Sequence, residues 1–92
     1  MPGYWMHESS GVLRPAVEAY LAGGEMSEAH IAAMRAYLRQ WIMSPIWDRN
    51  PHADADDKWM LSELRKGIEG LTTRKAIRIW LNAALDEGCD PL

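Results

Sequence analysis

The densest group of hard-ligand side chains in the sequence is His52-Ala53-Asp54-Ala55-Asp56-Asp57, where alternate positions of an extended loop can converge on a cation. A calcium loop between two helices needs a central glycine and a bidentate Glu at its twelfth position. Counting twelve from Asp54 reaches Arg65, and counting from Asp48 reaches Trp59, so the signature fails. The carboxylates suit a plainer task, capping a helix and complementing the positive end of its dipole. His7, His30 and His52 show no zinc spacing, and the single Cys89 adds no second ligand to them. Cys89 has no basic neighbour in sequence to lower its thiol pKa, and Gly88 before it predicts a mobile, partly exposed position. A phosphate loop, a nucleophile elbow and a histidine–carboxylate motif are all missing. The expectation is a non-enzymatic chain with no metal and no cofactor.

Two binding chemistries remain. Arg74, Lys75 and Arg78 follow a short turn at Gly70 and would sit early on a helix, an arrangement able to place basic side chains in a major groove. Against it, Glu63 and Glu69 flank the turn, no basic arm supports phosphate contacts, and 10 basic residues against 13 acidic give a net charge of −3. The other chemistry is carried by tryptophan. Trp41 and Trp80 fit helix stripes and core positions, Trp59 falls at the edge of a stripe, and Trp5 and Trp47 lie outside any helix, near Tyr4 and Ile46. Such residues staple an arm or loop to a small core. They are also, with Tyr, Met and Arg, the types enriched at protein interfaces. The candidate protein-binding residues are therefore Trp5, Trp47 and Trp59, rimmed by Arg39 and Arg49.

The elements that must position these residues are helical. Val12, Leu13, Ala16, Val17, Tyr20 and Leu21 give a first amphipathic helix over 12–22, with Pro15 in its first turn and Gly23-Gly24 as its stop. Ser27 caps a second, over 28–43. Met26 and Ile31 are placed as a hydrophobic staple. Ile31, Met34, Leu38, Trp41 and Ile42 form its stripe, widened by Tyr37, and Arg35 and Arg39 face outward. Pro45 ends it. Residues 44–56 read as a long loop, after which Asp56 or Asp57 caps a third helix over 57–69 with Met60, Leu61, Leu64 and Ile68 inward. The fourth runs over 73–87 from a threonine cap, with Ala76, Ile77, Trp80, Leu81, Ala84 and Leu85 as its stripe, and Gly88 begins a short tail. The fold class is all-α, a small four-helix bundle with one long loop between the second and third helices.

Composition agrees with one domain of 92 residues: an arm over 1–10, the bundle, and a tail over 88–92. Its 48% apolar content supports a dense core. A lone cysteine, the absence of a signal-peptide pattern and the absence of a long apolar run predict a soluble protein of the cytoplasm.

Met34-Arg35-Ala36-Tyr37-Leu38-Arg39-Gln40-Trp41-Ile42, and Gly70-Leu71-Thr72-Thr73 through Asp86-Glu87-Gly88-Cys89-Asp90-Pro91-Leu92, with the Trp47 loop, resemble small accessory proteins carried by phages and mobile elements of proteobacteria. The likeness spans roughly the last two-thirds of the chain and carries no site residues. It implies a setting in which a small protein blocks or modulates a larger host protein or complex, as anti-CRISPR inhibitors do. The alternative from the residues themselves is a helix-turn-helix-like DNA-binding regulator using Arg74, Lys75 and Arg78. A self-associating subunit, or a homodimer, is the third expectation.

Overall fold

A computed structural model describes residues 11–92. Trp5 and the rest of the 1–10 arm lie outside the described residues. Four helices form, α1 (Leu13–Leu21), α2 (Glu28–Ile42), α3 (Ala55–Gly67) and α4 (Arg74–Asp86), and no strand is present among the described residues. Two short 3₁₀ turns, Pro45–Arg49 and Ile68–Gly70, flank α3.

Local chemistry sets the helix starts. The Ser27 hydroxyl accepts from His30 N at 3.1 Å and the Thr73 hydroxyl from Ala76 N at 3.1 Å, so each satisfies an amide that has no partner within its helix. At α3 the cap is Asp54 rather than Asp56 or Asp57. Its carboxylate accepts from Asp57 N at 2.8 Å while Asp57 accepts from Asp54 N at 3.1 Å, a reciprocal pair that starts the helix at Ala55. The loop expected over 44–56 shrinks accordingly, and Ser44-Pro45 opens a 3₁₀ turn inside it. Gly23 (φ 75°) and Gly88 (φ 85°) take the left-handed backbone at which α1 and α4 stop.

Each helix contributes a face to one core: Leu13, Ala16 and Val17 from α1; Met34, Tyr37, Leu38 and Ile42 from α2; Leu64 from α3; and Ile77, Trp80, Leu81 and Ala84 from α4. Ile68 and Leu71 close the floor between the last two helices. The Trp80 indole N–H donates to Leu64 O at 2.8 Å and ties α4 across α3.

Several expected stripe positions turn outward. Val12 (44% exposed) precedes the first turn of α1, and Leu21 and Leu85 point to solvent at helix ends, where no neighbouring element covers them. Arg35, expected on the outer face, is half-buried and donates to Leu71 O at 3.0 Å. The tail also departs from expectation. Cys89 N returns to Ala84 O at 2.8 Å after Gly88, which buries the Cys89 side chain. Pro91 follows it inward, and the Tyr37 hydroxyl donates to Pro91 O at 2.6 Å.

Candidate protein-binding groove

Arg65 on α3 is the hub of the site. Its Nε donates to Ile42 O at 2.9 Å and its Nη2 to Ser44 O at 3.3 Å, which satisfies carbonyls left open where α2 ends. The same guanidinium grips Asp48 bidentately, Nη1 to Oδ1 at 3.0 Å and Nη2 to Oδ2 at 3.1 Å, a geometry only arginine's planar fork provides. The hydrogen bonds from Arg65 hold the Asp48 carboxyl below its ordinary range. Trp47 adds a second fastening. Its indole N–H donates to Trp41 O at 2.8 Å, and its ring lies 6.0 Å from that of Trp41, tilted by 50°.

With Trp47 turned in and Asp48 clamped, the 3₁₀ turn presents Ile46 to solvent, 63% exposed, beside Met43 at 49%. These two form one wall of a groove of about 980 Å³, with Leu61 and Leu64 of α3 on its floor. The far end is acidic, where Asp57 meets Asp86 and Glu87. Partial desolvation raises the Glu87 pKa first, followed by the charge of Asp57 and a hydrogen bond with it, with Asp54 and Asp86 adding to the rise. Burial, then Glu87, likewise raises the Cys89 thiol despite Arg65, so the thiol is held in its neutral, unreactive form. Such a groove can hold apolar side chains at one end and a cation at the other.

Of the candidate protein-binding residues that the structure describes, Trp47 alone lines this groove, and it does so as a support more than as a contact. Arg49 ends the turn, exposed. Trp59, 61% exposed, stands on a different flank of α3, and Arg39 is ion-paired with Glu69. The structure does not gather these four into one patch. Met43, Ile46, Arg65 and the Asp57–Glu87 end were not anticipated; the only sequence signal for them is the Ser44-Pro45 step that starts the turn.

Arg74 is not free to reach a phosphate backbone. Its Nη2 donates to Tyr20 O at 2.9 Å and its guanidinium lies 5.1 Å from the Tyr20 ring centre, while Lys75 and Arg78 stay exposed. Among the described residues, no group of three His, Cys, Asp or Glu side chains is placed to hold a metal ion, and no helix is long and apolar enough to cross a membrane. Comparison with known proteins finds no similar family model, no similar curated protein and no similar solved structure.

Proposed function

We propose that this chain is a non-enzymatic protein-binding module whose contact surface is the groove between the 45–49 turn, α3 and the tail. The observation that carries the reading is the pair Met43 and Ile46, large apolar side chains held in water on a turn fixed by Arg65 and Trp47. Rigid apolar anchors of this kind bind at low entropic cost. The matching partner segment brings apolar side chains to Ile46 and a lysine or arginine to the Asp57–Glu87 end. The resemblance to phage and mobile-element accessory proteins supplies a setting, inhibition of a larger host complex in the manner of an anti-CRISPR protein. That setting is the cytoplasm, in keeping with a fold that uses no disulfide.

The test compares capture from lysate by the wild-type chain, a Met43→Asp/Ile46→Asp variant and a Leu85→Asp variant, each with and without nuclease. A defined protein retained by wild type and Leu85→Asp, and lost with Met43→Asp/Ile46→Asp, supports the groove. Retention that vanishes with nuclease and falls steeply with salt instead favours DNA contact through Lys75 and Arg78.

A further inference from the structure

Helices α3 and α4 run antiparallel. The Trp80–Leu64 hydrogen bond ties their middles, Gly67 lies against the Trp80 indole, and Glu87 meets Asp57 at the opposite end. Between them, on the side away from the groove, lies an apolar furrow of about 390 Å³ lined by Met60, Gly67, Ala76, Ile79 and Ala83. Ile79 on its lining is 57% exposed, and Trp59, next to Met60 on α3, stands in water at 61%. An unfilled furrow forfeits dispersion contacts, and an exposed aromatic–aliphatic face of this kind marks an association surface.

Charge identifies what covers it. The outer row of α3 reads Asp56, Trp59, Glu63, Lys66, and that of α4 reads Lys75, Ile79, Asn82, Asp86, each at helical spacing. Because the helices are antiparallel, Asp56 and Asp86 share one end of the face, and Lys75 stands at the other beside Lys66, which is ion-paired with Glu63 at 3.5 Å. A copy related by an axis parallel to the helices would set like ends together. A copy related by a two-fold axis perpendicular to them sets each acidic end over the partner's basic end and brings the Ile79 side chains of the two copies close to the middle.

We propose that the outer face of the α3–α4 hairpin pairs two copies of this chain about that perpendicular two-fold, with Lys75 of each copy facing Asp86 of the other. The pairing does not rest on the groove reading: Leu64, Lys66 and Asp86 border the groove as well, but the dimer is read as a mass with no other partner present.

The test is sedimentation velocity with light scattering on the full chain from low to high micromolar concentration, with circular dichroism to confirm folding. Wild type is expected to shift from monomer to dimer mass, and Ile79→Glu to stay monomeric. Lys75→Glu alone weakens the dimer on the order of tenfold. Lys75→Glu with Asp86→Lys restores it, because the two sites lie about 16 Å apart along one helix and only a second copy can pair them. A wild type that stays monomeric overturns the proposal. So does a dimer untouched by Ile79→Glu, or one that the charge swap fails to restore. Met43→Asp/Ile46→Asp leaves the dimer intact, so failure of the groove is read separately.

Discussion

A single guanidinium at Arg65 joins the end of one helix, a turn and the next helix, and its removal therefore costs more than any one of its bonds. Arg65→Met is expected to destabilise by about 2 kcal/mol in urea unfolding, since it strands the part-buried carbonyls of Ile42 and Ser44, while the exposed Asp48 carboxylate passes to water. The two perturbed carboxyls at the groove respond to acid with opposite sign. Asp48 titrates below its ordinary 3.8, so its stabilisation is present above that value and is lost as pH falls through the lower folded pKa. Glu87 titrates above its ordinary 4.5, so its favourable state exists below 4.5 and is lost as pH rises through the higher folded pKa. Glu87→Gln should then raise the thermal midpoint at neutral pH and leave it unchanged below pH 4.5, which melting curves across that window check directly.

At the scale of the element, the reciprocal Asp54–Asp57 cap predicts that Asp54→Ala loses about 1 kcal/mol, measurable by denaturant titration. Gly67→Ala should do the reverse. The backbone there is helical (φ −74°), and an added Cβ would meet Trp80 Cδ1 at 3.5 Å, an ordinary contact. The variant should gain roughly 0.5–1 kcal/mol from the reduced freedom of the unfolded chain. The four helices and the Ser27 cap were legible in the sequence because their causes are local: an apolar period, a hydroxyl, a proline. The groove was not, because Arg65 reaches back 17 and 23 residues to build it. In an irregular segment, spacing also does not decide which of two adjacent side chains turns inward. Trp47, offered by its sequence position both as a staple and as a contact, is the staple, and Ile46 beside it is the one left in water.

Across the whole molecule, the last turn of chain completes a core begun by α1 and α2. The Tyr37–Pro91 hydrogen bond spans 54 residues, and Tyr37→Phe should cost on the order of 1 kcal/mol by equilibrium unfolding. Charge is sorted on the same scale, with acidic residues gathered where α3 begins and α4 ends. The tucked tail also makes the protein its own stopwatch. Cys89 is the sole cysteine, 3% exposed and held as a neutral thiol, so a thiol reagent waits for the tail to lift before it reacts. When reclosing outpaces reaction, the labelling rate divided by that of an unfolded peptide gives the fraction of time the tail stands open. A ligand seated in the groove against Cys89 would slow that clock, and binding could be timed without attaching a probe.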